Sequence, residues 1–111
     1  MNRDRLYLQH ILDASQKIDS YIAVGQEEFL KSSHWQDAVV RQLEIVGEAS
    51  KRLSDDLRNQ HSDIPWRRIC GLRDVLIHNY MGVDLDAVWA ITQSQLPLLK
   101  TRVQSILRDQ D

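Results

Sequence analysis

The stretch Arg73-Asp74-Val75-Leu76-Ile77-His78-Asn79-Tyr80 collects side chains suited to cleaving a phosphodiester without a metal ion. Histidine has an unperturbed pKa near neutrality, so it can pass a proton in either direction. Arginine is a permanent cation whose forked N–H groups match phosphate oxygens. Tyr80, seven residues after Arg73, lies almost directly above it on a helix and adds a hydroxyl. Asp74 and His78 are four residues apart and share a neighbouring stripe, from which Asp74 could orient the imidazole or hold Arg73. His78 stands roughly 140° around an ideal helix from Arg73, so the two need not converge within one chain. The same residues also fit plainer roles. A histidine near a helix C-terminus serves the dipole, a tyrosine closes a core, and Arg73–Asp74 makes a surface charge pair.

The residues around the motif must decide how it is presented. Ile69, Leu72, Val75 and Leu76 cluster on one side of the helix and predict its core face. Trp66, Cys70, Ile77 and Met81 form a second apolar stripe, flanked by the Arg, Asp, His and Tyr side chains. An apolar stripe with polar borders predicts packing against a second copy, which would bring two sets of polar groups to the rim of one cleft. These four residues are therefore the candidate dimer-interface positions.

Helical periodicity runs along the rest of the chain. Leu8, Ile11, Leu12, Ser15, Ile18 and Ile22 predict a first helix of about five to six turns, stopped by Gly25. Ser33 followed by Gln36 resembles a capping box for a second helix, with Val39, Val40, Leu43, Val46, Leu53 and Leu57 turned inward. Gly47 weakens that helix unless a neighbour crosses closely there. Residues 59–63 read as a polar loop, and Pro65 opens a third helix that should run to about Tyr80 and stop near Gly82. Asp84 can cap a fourth helix carrying Leu85, Val88, Trp89, Leu96, Leu99, Val103 and Ile106, which Pro97 should kink or divide. No strand or repeat is predicted. The expected fold is all-α: one domain over residues 1–111, an up-and-down bundle of four to five helices.

Composition narrows the functional classes. At 111 residues, with 42% hydrophobic and 27% charged, the chain reads as one ordinary globular domain. A formal net charge of −2 excludes an overall basic field, so any contact with nucleic acid must rest on a local patch or a shaped cleft. Cys70 is the only cysteine, which excludes an intrachain disulfide and argues against a cysteine-based zinc site. No apolar run approaches the ~20 residues that span a bilayer. The N-terminus leads into an amphipathic pattern and not into a signal-peptide core, so a cytoplasmic protein is expected.

Read whole, Ile64-Pro65-Trp66-Arg67-Arg68-Ile69-Cys70-Gly71-Leu72-Arg73-Asp74-Val75-Leu76-Ile77-His78-Asn79-Tyr80, followed by Val83-Asp84 and Val88-Trp89, resembles the HepT-like branch of the HEPN superfamily. There an Ile-Pro-Trp start, a Gly-Leu-Arg-(Asn/Asp) step and His-x-Tyr recur in this order. Leu43-Glu44-Ile45-Val46-Gly47-Glu48-Ala49 is similar to the helix that this family places upstream, and the resemblance runs from about residue 5 to 107. It implies a HEPN-like helical homodimer whose Arg-x4-His elements meet in a cleft at the interface. It implies a metal-independent endoribonuclease that acts as a toxin and needs no cofactor. It further implies a cognate MNT-type nucleotidyltransferase antitoxin that silences the toxin by AMPylation of Tyr80. Arg73 and His78 map onto the catalytic pair, and Asp74 onto the supporting polar position.

The chemistry is compatible with that assignment. His78, from one or both subunits, would take the 2′-OH proton or protonate the leaving 5′-oxygen, while Arg73 stabilises charge on a phosphorane-like transition state. Tyr80 could hydrogen-bond a phosphate oxygen, and AMP on its hydroxyl would put charge and bulk where RNA must enter. Arg67 and Arg68, with Arg58 and His61, stand close to the start of the motif and could guide the RNA backbone, or simply form a solvated face. Two other functions stay open: a non-catalytic HEPN module that binds nucleotide or a partner, and a purely structural oligomerisation element.

Overall fold

The structure, a computed structural model, describes residues 3–72 and 84–109. Apolar residues three and four apart give the first helix, α1 (Arg3–Ile22), one buried face made of Leu8, Ile11, Ala14, Ser15 and Ile18. Ser15 is tolerated there because its hydroxyl donates to the Ile11 carbonyl at 2.8 Å. Gly25 ends this run as expected, at a φ of 93° that favours glycine, with its N–H bonded to the Ile22 carbonyl at 3.0 Å.

A short helix that periodicity does not reveal follows, α2 (Gln26–Lys31), which buries only Phe29. Next, α3 (Ser33–Lys51) buries Val39, Leu43, Val46 and Gly47. The expected capping box is absent: Ser32 is the cap residue, no side chain caps the helix, and Ser33 is already helical. Gln36 instead donates to the carbonyls of Phe29 and Leu30, at 3.0 and 3.2 Å, and so ties α2 to α3.

The second helix also stops earlier than its periodicity suggests. Leu53 is buried just beyond α3, and Leu57 belongs to a separate helix, α4 (Asp55–Gln60), whose last residues occupy the start of the expected loop. Ser54 caps α4 by accepting from the Leu57 N–H at 3.1 Å. Its own N–H and hydroxyl donate to the two carboxylate oxygens of Asp4, at 2.8 and 2.6 Å, fastening α4 to the start of α1.

After Pro65 comes α5 (Trp66–Cys70), which ends at Gly71. The remainder of that expected helix lies outside the described residues. On the far side Asp84 caps α6 (Leu85–Gln93) as predicted, accepting from the Ala87 N–H at 3.1 Å. Ser94 separates α6 from α7 (Gln95–Asp109), which carries Pro97 in its first turn. A proline there has no N–H for the Gln93 carbonyl and its ring would crowd it, so the helix divides.

Helix α1 packs chiefly on α3 and then on α7, while α5 packs on α3 and α6 on α7. Leu8, Ile11, Ile18, Phe29, Val39, Leu43, Val46 and Val103 are fully covered at the centre. Among the described residues there is no strand, and no helix is long and apolar enough to cross a membrane. Among the described residues, four longer helices (α1, α3, α6 and α7) with three short ones make an all-α bundle; the fold class is as expected, and the helices exceed the four to five expected because the chain breaks into more, shorter pieces.

Candidate functional site

Arg73, Asp74, Ile77, His78, Tyr80 and Met81 lie outside the described residues; what the structure describes is the frame that holds both ends of their segment. Leu72, immediately before Arg73, is only 6% exposed. It lines a small void with Val46 of α3, Ile69 of α5, Ile91 of α6 and Leu96 and Leu99 of α7. The candidate segment therefore follows a buried residue that shares a void with residues of four helices. It re-enters at the Asp84 cap, followed by buried Val88 and by Trp89, whose ring centroid lies 5.3 Å from that of Phe29. One end is anchored by apolar burial and the other by a helix cap, on the same core.

Of the apolar stripe expected at an interface, Trp66 is only 7% exposed and packs in the chain's own core. Its indole Nε1 donates to the His61 carbonyl at 3.0 Å, which satisfies the one polar group of a buried tryptophan. Trp66 and Ile69 are three residues apart, so they share the buried face of α5. Cys70 is half-buried, with its free Sγ 3.9 Å from Nη1 of Arg58. Arg58 also pairs with Asp55 at 2.8 Å, so its charge is already engaged locally. Arg67 and Arg68, by contrast, are exposed in the last turn of α5, where cations also complement the helix dipole.

Residues 61–65, which feed α5, are held from the opposite helix. Both Nη atoms of Arg102 on α7 grip the Asp63 carboxylate, Nη1 to Oδ2 and Nη2 to Oδ1 at 3.2 Å. Nη2 also lies 3.4 Å from Nδ1 of His61. Hydrogen bonding from Arg102 holds the Asp63 carboxyl below its ordinary pKa, and the same bond raises that of the guanidinium. Beside the pair a cavity of about 350 Å³ opens among Ile64, Pro65, Ile69, Leu98 and Leu99, with Leu98 itself 71% exposed. Sequence reading misses this pair, because Asp63 sits in a polar run, Arg102 sits among the polar positions of an amphipathic helix, and 39 residues separate them.

The chain matches the family described as "Ribonuclease HepT-like" over residues 11–106. It is 39% identical over 109 residues to a protein of Caldanaerobacter subterraneus subsp. tengcongensis named a "Putative RNase", covering 97% of each chain. It is 39% identical over 101 residues to the "Probable ribonuclease HepT" of Thermococcus cleftensis, covering 90% of this chain and 92% of that one. A third relative, the "Gamma-glutamylcyclotransferase and putative RNase" of Methanocaldococcus jannaschii, is 37% identical over 113 residues. That alignment takes in 100% of this chain but only 51% of the relative, so the chain spans about half of that protein's length. No solved structure gives a significant match.

Proposed function

This chain belongs to the HepT-like ribonuclease family, and we propose that it is the toxin of a toxin–antitoxin pair, a metal-independent endoribonuclease whose catalytic residues are Arg73 and His78. The observation that carries this reading is the family match itself: it spans residues 11–106, the stretch of sequence in which Arg73, His78 and Tyr80 stand. Relatives that carry ribonuclease names at 39% identity cover nearly the whole of this chain, which supports the same activity here.

The RNA supplies its own nucleophile. The 2′-oxygen attacks the adjacent phosphorus, His78 accepts the 2′-OH proton, and the bond from phosphorus to the 5′-oxygen breaks. A protonated His78, from the second subunit of a homodimer, delivers a proton to the departing oxygen. The products are a 2′,3′-cyclic phosphate and a 5′-hydroxyl. Arg73 stabilises the extra negative charge on the phosphoryl oxygens, and Asp74 supports the pair. Arg67 and Arg68, exposed on α5 just before the catalytic segment, offer two cations to the RNA backbone of a protein whose net charge is −2. Cys70, Ile77 and Met81 are the remaining candidates for the dimer interface. An MNT-type nucleotidyltransferase acts as antitoxin in the cytoplasm by transferring AMP from ATP to the Tyr80 hydroxyl, releasing pyrophosphate. The adduct repels and blocks RNA at the cleft.

The test is cleavage of an RNA oligonucleotide in excess chelator, with the product ends identified by mass spectrometry. Cutting to cyclic phosphate ends is expected. His78→Ala and Arg73→Ala should each slow it by about a hundredfold or more. Tyr80→Phe should still cut but refuse AMP. A strict requirement for magnesium, or full activity in His78→Ala, would overturn the mechanism. RNA that binds but stays intact would leave a binding module in place of the enzyme.

A further inference from the structure

We propose that Asp63 and Arg102 are positioning residues for the cleavage reaction: α7 uses this ion pair to set the pose of the turn from which α5 and the catalytic segment start. The inference rests on the catalytic reading of Arg73 and His78. In chain order the turn runs from His61 through Asp63 to Pro65, and Trp66, Leu72 and Arg73 follow. The His61 carbonyl accepts both the Ile64 N–H and the Trp66 indole N–H, each at 3.0 Å, so turn and indole are fastened at a single atom. The Trp66 N–H reaches back to the Ile64 carbonyl at 2.8 Å. Moving the turn therefore moves the head of α5, and α5 leads directly to Leu72 and Arg73.

Ile64 buries one side chain of this turn in the core, whereas Asp63 and Pro65 are exposed. The cavity of about 350 Å³ is lined by Ile64 and Pro65 of the turn and by Leu98 and Leu99 of α7, so the contact between turn and α7 is not closely packed there. The forked pair bridges the same gap at its rim and sets the spacing, with His61 as a third point of contact. Asp63 is largely in water and Arg102 partly so, at 66% and 37% side-chain exposure, and the pair contributes little to global stability. Catalysis responds far more steeply to displacement of reacting groups than stability does. A positioning role therefore predicts a loss of rate without a matching loss of melting temperature.

The experiment measures kcat, KM and Tm on a defined RNA oligonucleotide for Asp63→Asn, Arg102→Gln, the charge exchange Asp63→Arg with Arg102→Asp, and His78→Ala. Each single clamp variant should lower kcat by about threefold to fivefold, leave KM unchanged and move Tm by less than about 3 °C. The charge exchange should recover most of the rate. Wild-type kcat in both single variants, a defect confined to KM, or no recovery on exchange would overturn the clamp. His78→Ala separates the two readings. If it is inactive while Arg102→Gln cuts normally, only the clamp fails; if it cuts normally, the catalytic reading fails and the clamp with it.

Discussion

Truncating Trp66 distinguishes a core residue from an interface residue. The indole is 93% covered within the protomer, the complement of its 7% exposure, so Trp66→Ala removes one of the larger apolar surfaces in the bundle. Large-to-small changes of this kind cost about 3–5 kcal/mol. In a domain of this size each kcal/mol moves Tm by about 4–8 °C, so a fall of about 12–40 °C is expected. Trp66→Phe keeps a buried ring and loses the N–H donor. The His61 carbonyl still receives the Ile64 amide at 3.0 Å, so no buried acceptor is orphaned and the cost should be nearer ~1–2 kcal/mol. Thermal melts followed by circular dichroism, with sedimentation at several protein concentrations, read both quantities. A Trp66→Ala variant that melts within about 3 °C of wild type yet no longer self-associates would refute the core assignment and return Trp66 to an interface.

Two further outcomes follow from the frame around the candidate site. Ser54→Ala removes the α4 cap and the hydroxyl donor to Asp4, leaving only the backbone N–H on that carboxylate, and should cost about 1–2 kcal/mol in a urea melt; a loss under about 0.3 kcal/mol would mean that water replaces the cap. Asp63 has its folded-state pKa lowered by the Arg102 hydrogen bond, so its contribution is complete above the unfolded carboxyl value and is lost as pH falls through the folded one. The Tm difference between wild type and Asp63→Asn should therefore shrink below about pH 4, and a difference that stays constant down to pH 2 would contradict the pair.

The parts of the fold legible in the sequence are those where one face repeats over several turns or one residue has a single steric consequence. Leu8, Ile11, Ser15 and Ile18 mark α1, Asp84 marks the start of α6, and Pro97 divides α6 from α7. Helices α2 and α4 escape because six residues bury a single side chain each, Phe29 and Leu57, and one residue has no period. The capping box failed for a related reason. Gln36 had a better use, since two carbonyls at the end of α2 lay within its reach, and α2 itself was not foreseen.

Trp66 shows how such an omission reaches the candidate site. One helical wheel drawn from Pro65 to Tyr80 assigns Trp66, Cys70, Ile77 and Met81 a common azimuth. The break at Gly71 ends that wheel after five helical residues, and within α5 the pair Trp66 and Ile69 faces the core. Azimuths measured from Arg73 therefore say nothing about Trp66, and an interface built on the stripe must stand on Cys70, Ile77 and Met81. The same argument removes the angular separation of Arg73 and His78 from residues before Gly71 and leaves it only between themselves. What does not depend on helical phase is residue type and chain order: a fixed cation, a proton carrier five residues beyond it, and a hydroxyl after that. Those do not depend on the break, so the chemistry expected of the segment rests on residue type and order and on no helical phase.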